Sequence, residues 1–264
     1  MKRIIFTDLD GTFLNHHDYS FNDALEAIAK IEEYGIPLIF TTSKTKSEVE
    51  RLQEKVGISE PFIVENGASL FIPEDYQGFD LSALANYDDK KVITFGQPYS
   101  KVLQFYRTYR AEFGMIGFSD MTDMEVGEAI GLDQYSVLRA KQRNFTEPFL
   151  LKDDSKLEEL QRLAQGYQLK VTQGGRFYHL MGELQDKGVA VTETIELFEN
   201  FYHTKVKTIA LGDSQNDLEM LERVDVPIVI KKYDGTHLET GLENIQKSSF
   251  MGSKGWNEMV LKNV

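Results

Sequence analysis

Two hydrophobic periodicities alternate along this chain. Short apolar runs fit buried strands, and apolar positions recurring at spacings of three and four fit amphipathic helices. The run Ile4-Ile5-Phe6 reads as a buried parallel strand. Ala24, Leu25, Ile28 and Ile31 then recur at helical spacing, with Gly35 placed to end that helix. Residues 36–42 give a second apolar strand. Val49, Leu52 and Val56 mark a second helix closed by Gly57, and Phe62-Ile63-Val64 a third strand ending at the turn signal Glu65-Asn66-Gly67. This β-α-β-α-β order predicts a parallel sheet with right-handed crossovers.

The rhythm changes at Pro73. Residues 73–91 are polar, rich in Asp and Tyr, and carry no strong period. Beyond them a strand is expected at 92–95, and Val102, Leu103, Phe105, Tyr106 and Tyr109 predict a helix. Two short helical segments follow at 122–130 and 134–141. Strands are expected at 149–151, 169–172 and 177–180, with a helix bearing Leu157, Leu160 and Leu163 between the first two. The α/β alternation resumes after Lys187, with a helix at 189–198 and a strand at 206–211. A helix bearing Leu218, Leu221 and Val224, a strand at 226–230 and a terminal helix bearing Trp256, Met259 and Val260 complete the chain. The expected organisation is an α/β core from residues 1–83 and 183–264, with an α+β unit of residues 84–182 inserted into it.

Composition narrows the function classes. The chain has 264 residues, 41% hydrophobic and 27% charged, with a formal net charge of -13 and no cysteine. The acidic balance argues against nonspecific binding to nucleic acid or anionic membranes. Disulfides and thiolate metal sites are excluded. No apolar run approaches the length of a membrane span, and the first residues enter a strand with no secretory apolar region. A cytoplasmic location is the expectation.

The chemistry-bearing residues sit at predicted strand ends. Asp8-Leu9-Asp10-Gly11-Thr12 follows the first strand, where open α/β sheets place their sites. Carboxylates so close repel one another unless a cation intervenes, and oxygen ligands of this kind suit Mg²⁺. Asp and Gly are also ordinary turn residues. Asp213 and Asp217 follow the 206–211 strand in Gly212-Asp213-Ser214-Gln215-Asn216-Asp217. Alone they read equally as a helix N-cap and a first-turn acid. Thr41-Thr42-Ser43-Lys44 follows the second strand, where hydroxyls and free backbone N–H groups suit phosphate oxygens as well as capping. Lys187, between Asp186 and Gly188 at a helix start, can act as a point charge on a nucleophile and a phosphate.

These four elements, in this order, resemble the haloacid dehalogenase superfamily of phosphatases, and the insertion resembles that superfamily's Cof-type α+β cap. The resemblance implies a Rossmann-like parallel-sheet core and an aspartyl-phosphate mechanism. Asp8 would be the nucleophile, and Asp10 would protonate the leaving alkoxide and then deprotonate water. Thr42 and Lys187 would hold phosphoryl oxygens, with Ser43 and Lys44 beside them. Asp8, Asp10 through its main-chain carbonyl, and Asp213 would bind Mg²⁺, with Asp217 in its shell.

Further stretches narrow the resemblance. They are Phe40-Thr41-Thr42-Ser43-Lys44-Thr45, Val64-Glu65-Asn66-Gly67-Ala68, Gly117-Phe118-Ser119-Asp120-Met121, Arg143-Asn144-Phe145-Thr146-Glu147-Pro148-Phe149, and Gly174-Gly175-Arg176-Phe177-Tyr178-His179-Leu180. The set is similar to mannosyl-3-phosphoglycerate phosphatases, with Thr146 where that family usually has serine. Such a substrate joins a sugar to a phosphorylated carboxylic acid. Arg143 and Arg176 would then serve as carboxylate forks, Glu147 would accept sugar hydroxyls, and His179 would face the substrate from the cap. Other readings are a phosphatase of glucosyl-3-phosphoglycerate, sucrose phosphate or another sugar phosphate; a phosphomutase; and a noncatalytic binding protein. Intact Asp8, Asp10, Lys187 and Asp213 argue against the last.

Overall fold

Strand β1, Arg3–Thr7, is buried on both faces, and its alternation divides the core in two. Ile5 faces a cluster with Phe13, Ile28, Phe40 and Trp256, while Ile4 and Phe6 face a second cluster with Ile39, Val191, Phe198 and Met220. The computed structural model describes residues 2–173 and 177–264. Helix α1 (Leu25–Glu33) leads to β2 (Leu38–Thr41), and α2 (Lys46–Val56) to β3 (Phe62–Val64). Thr45 and Glu48 form a reciprocal capping box at the start of α2, and Gly57 ends it in the left-handed conformation.

The chain then reverses. Glu65, Asn66 and Gly67 take positive φ values of 48°, 60° and 83°, and β4 (Ser69–Pro73) returns antiparallel to β3. Strands β5 (Ala85–Tyr87) and β6 (Lys90–Thr94) extend the same sheet beyond β4. The expected boundary at residue 84 therefore falls inside the large sheet. The reason is local: antiparallel β4 leaves an unpaired edge, which the hairpin of β5 and β6 covers.

Helix α3 (Tyr99–Phe113) opens a second layer, followed by β7 (Met115–Gly117), α4 (Asp123–Ile130), α5 (Gln134–Ala140) and β8 (Glu147–Leu151). Helix α6 (Leu157–Gln165), β9 (Leu169–Gln173) and β10 (Tyr178–Gly182) complete it. The four strands form an antiparallel sheet in the order β7-β8-β10-β9. One face packs Phe149, Leu169, Val171 and Leu180 against Phe105, Tyr106 and Leu160 of α3 and α6.

The chain returns through α7 (Lys187–Tyr202), β11 (Lys207–Gly212), α8 (Leu218–Leu221), β12 (Val226–Lys231), β13 (Gln246–Met251) and α9 (Gly252–Asn263). The large sheet has the order β13-β12-β11-β1-β2-β3-β4-β6-β5, parallel from β13 to β3. No helix among the described residues is long and apolar enough to cross a membrane.

Candidate active site

Four segments reach the C-terminal edge of the parallel strands: Asp8 after β1, Thr42 after β2, Glu65 after β3 and Asp213 after β11. Lys187 enters from the first turn of α7, whose N-cap is Asp186. Close backbone approach makes this meeting possible. A Cβ on Gly67 would lie 1.9 Å from the Asp186 carbonyl oxygen, so only glycine seats the 65–67 turn on the start of α7.

Lys187 is 1% exposed, and its Nζ donates at 2.6 Å to Asp8 Oδ1 and at 2.6 Å to Asp217 Oδ1. Burial favours the neutral amine, but Asp217 and then Asp8 outweigh it and hold the ammonium well above its ordinary range. Burial, followed by the charge of Asp217, pushes the Asp8 carboxyl up to about 7 against the pull of Lys187. Asp213 is pushed up by burial and then by Asp217 and Asp8. Its Oδ1 accepts from the Thr12 hydroxyl at 3.0 Å.

Asp8, Asp213 and Asp217 each offer an oxygen within 4.8 Å of the others. An all-carboxylate set in which burial and mutual repulsion push Asp8 and Asp213 up fits a hard divalent cation, whose charge offsets the repulsion. Asp217 is the least free of the three. Its Oδ2 accepts from the backbone N–H groups of Asp213 and Ser214, each at 3.0 Å, while its Oδ1 holds Lys187. It orients Asp213 and Lys187 more than it offers lone pairs.

Asp10 carries Lys44 Nζ on Oδ2 at 2.9 Å, and its Oδ1 is buried with no partner among the described residues. Lys44 also approaches Glu48 at 3.7 Å, so this predicted substrate contact is committed to Asp10 and the head of α2. Burial pulls the Lys44 ammonium down, and Asp10 and Glu48 more than restore it. The Thr42 hydroxyl accepts from the Lys44 backbone N–H at 3.1 Å, leaving its own hydrogen to donate into the site. Ser43 presents its carbonyl to Arg143 Nη2 at 2.8 Å.

Two expectations for the inserted layer change. Arg143 is 8% exposed and committed to Ser43, to the Thr146 hydroxyl at 2.6 and 3.1 Å, and to Glu65 at 3.3 Å. It ties two layers together and is not presented as an open fork. Glu147 is fully buried: Tyr99 donates to one oxygen at 2.5 Å, and Ser119 donates to the other through its N–H at 2.9 Å and its hydroxyl at 2.6 Å. Both oxygens are occupied, so the expected role toward sugar hydroxyls is lost. Arg176 lies outside the described residues. His179 is 8% exposed, and its Nδ1 has no partner among the described residues. Burial, with Arg143 and Lys187 nearby, pushes its ring down to about 3, so it is a neutral imidazole.

Sequence reasoning missed the role of Glu65. This residue is fully buried and accepts from the backbone N–H groups of Asn144 at 2.8 Å, Phe145 at 3.1 Å and Thr146 at 2.9 Å, and from the Thr146 hydroxyl at 2.9 Å. The available signal was a glutamate between an apolar strand and Asn-Gly, a costly place for a charge without partners.

Comparison with known proteins agrees with this geometry. Residues 5–234 match the model of the haloacid dehalogenase-like hydrolase family. A glucosyl-3-phosphoglycerate/mannosyl-3-phosphoglycerate phosphatase of Persephonella marina is 44% identical over 97% of this chain and 95% of its own. Its namesake from Methanococcoides burtonii is 39% identical over 99% and 97%. Among solved structures, a Thermoplasma acidophilum protein superposes with a TM-score of 0.72 over 99% of this chain and 98% of its own, at 17% identity. With its four strand-end motifs gathered around one buried lysine and its whole length shared with such relatives, the chain belongs to the haloacid dehalogenase-like hydrolase family and is a phosphoric monoester hydrolase.

Proposed function

We propose that this enzyme hydrolyses the phosphate ester of mannosyl-3-phosphoglycerate, with glucosyl-3-phosphoglycerate as a second substrate, through an aspartyl-phosphate at Asp8 and with Mg²⁺. The observation that carries the chemistry is the buried Lys187 bridging Asp8 and Asp217. It holds Asp8 at the strand end as an oriented carboxylate for in-line attack on phosphorus. Asp10, tethered by Lys44 on one oxygen, keeps Oδ1 for the proton it gives to the leaving alkoxide and later takes from water. Thr42 and Lys187 hold the phosphoryl oxygens. Asp8 and Asp213, with the Asp10 carbonyl, would hold the cation, which when bound neutralises charge on the phosphoryl group.

The substrate assignment rests on full-length similarity to phosphatases named for both glycosyl phosphoglycerates. The unit from about residue 98 to residue 182 is proposed as the cap that covers the leaving group, and its contacts with the core belong to the closed arrangement. Phosphate release measured across mannosyl- and glucosyl-3-phosphoglycerate, sucrose 6-phosphate and mannose 6-phosphate tests the assignment. The two phosphoglycerates should show the highest kcat/KM, and EDTA should abolish turnover. A simple sugar phosphate as the best substrate would overturn the substrate reading and leave the phosphatase chemistry standing.

A further inference from the structure

A cavity of about 430 Å³ opens beside the Lys187 stem, between the strand-end loops of the core and the sheet of the inserted layer. Its roof follows from strand register. Lys170 pairs with Met181 and Thr172 with His179 across β9 and β10, so these four side chains share one face. Leu169, Val171 and Leu180 take the other face, into the apolar core. The roof therefore places Lys170 and Thr172 on the cavity wall beside Met181.

The floor holds an unmet donor. Asn66 is 3% exposed, and its Oδ1 accepts from Asn216 Nδ2 at 3.0 Å. That bond fixes the amide orientation and leaves Asn66 Nδ2 buried without an acceptor among the described residues. Lys232, in the loop after β12, adds a second ammonium group to the walls. Of the acids present, Asp186 is committed to the N-cap of α7 through Val189 N–H at 2.7 Å, and Glu219 on α8 lines the same cavity near enough to feel the charge of Lys170, so a bound anion would share that lysine with it. The charge of Lys187 is already matched by Asp8 and Asp217. Two lysines and an orphaned amide donor facing one cavity call for an anion with more than one acceptor oxygen, distinct from the phosphoryl group.

We infer that this cavity is a carboxylate subsite, in which Lys170, assisted by Lys232 and Asn66 Nδ2, binds the carboxylate of the alcohol that leaves phosphorus. The inference rests on the proposed phosphoglycerate substrate and moves the carboxylate-reading role from Arg143, which Glu65, Thr146 and Ser43 occupy, to Lys170.

The test needs no sugar. 3-Phosphoglycerate and glycerol 3-phosphate are matched phosphate esters that differ in the carboxylate. Their dissociation constants are measured by calorimetry, with Mg²⁺ present, on the turnover-deficient Asp8→Asn protein, with and without Lys170→Ala and Lys170→Arg. A preference for 3-phosphoglycerate of about tenfold should be present, fall to near unity with Lys170→Ala, and survive in part with Lys170→Arg. Equal affinity for the two esters before the exchange, or a preference that persists in Lys170→Ala, overturns the subsite. The substrate reading is tested separately, by phosphate release from the glycosyl phosphoglycerates with the wild type. Its failure there leaves a carboxylate preference that depends on Lys170 intact.

Discussion

At the scale of single residues, the site is organised by Lys187. Asp8→Asn keeps an oxygen for Lys187 to hold but cannot form an acyl phosphate, so kcat should fall by about ten-thousand-fold while the thermal midpoint stays within a few degrees. Phosphate release and a melting curve on one preparation check both halves. Lys187→Ala should behave differently. It leaves Asp8 and Asp217 buried without their counter-charge, and breaking a buried pair costs about 3–5 kcal/mol. The variant should lose activity and also unfold several degrees lower; an unchanged midpoint would remove the account of how the carboxylates are held. Asp8, Asp10, Thr42 and Asp213 were legible in the sequence because each follows a strand end of the parallel sheet, and Lys187 because it opens a helix directly after Asp186. The roles of Arg143 and Glu147 were not legible, because their partners Glu65, Ser43, Tyr99 and Ser119 stand 28 to 100 residues away. No local pattern distinguishes a fork open to ligand from one already filled.

At the scale of elements, periodicity found the buried strands and amphipathic helices and missed strands whose sequence carries neither pattern. Strand β13 is largely exposed at the sheet edge and reads Gln-Lys-Ser-Ser-Phe-Met, while β7 has three residues. Strand β4 is buried along Ser69–Ile72, but it follows directly on a turn and ends in proline, so its apolar run merged with the loop. Helix α8 stops at Leu221, short of the expected Val224. The packing of β3 and β4 carries a titration of its own. Glu60, just before β3, accepts from the Tyr76 hydroxyl, just after β4. Burial, opposed by that hydrogen bond, pushes its carboxyl from 4.5 up to about 7. A carboxyl raised on folding contributes stability that is complete below the unfolded value and lost as pH climbs through the folded one. Glu60 should therefore cost stability progressively between about pH 5 and pH 7, on the order of 1–2 kcal/mol for a half-buried group. Glu60→Gln removes the titration. Its stability relative to wild type should be greater at pH 8 than at pH 5, and a pH-independent difference in urea titrations would contradict the assignment.

At the scale of the whole molecule, the most densely bonded contact between the two layers centres on one carboxylate, beside hydrogen bonds from Arg143 to the Ser43 carbonyl and from Thr45 to the Arg139 carbonyl. Glu65 projects from the core after β3 and gathers three consecutive backbone N–H groups, the Thr146 hydroxyl and the Arg143 guanidinium from the inserted unit. Gln185, at the return to the core, donates to the Glu65 carbonyl at 2.6 Å, so the same residue is also fixed from behind. Charge-assisted bonds of this kind contribute roughly 1.5–3 kcal/mol each, and a carboxylate accepts at every position where an amide must donate at half. Glu65→Gln keeps the shape but turns an N–H group toward either Asn144 N–H or the Thr146 cluster. The two layers should then separate more readily. The radius of gyration in solution scattering should increase, proteolysis within 143–147 should accelerate, and kcat/KM should fall by about tenfold because water is excluded less completely from the phosphoryl group. Thr146→Val removes one donor and one acceptor from the same cluster and should shift all three readings in the same direction by less. A Glu65→Gln protein with unchanged scattering and a protected 143–147 loop, yet reduced turnover, would mean that Glu65 acts on the site locally and does not hold the layers closed.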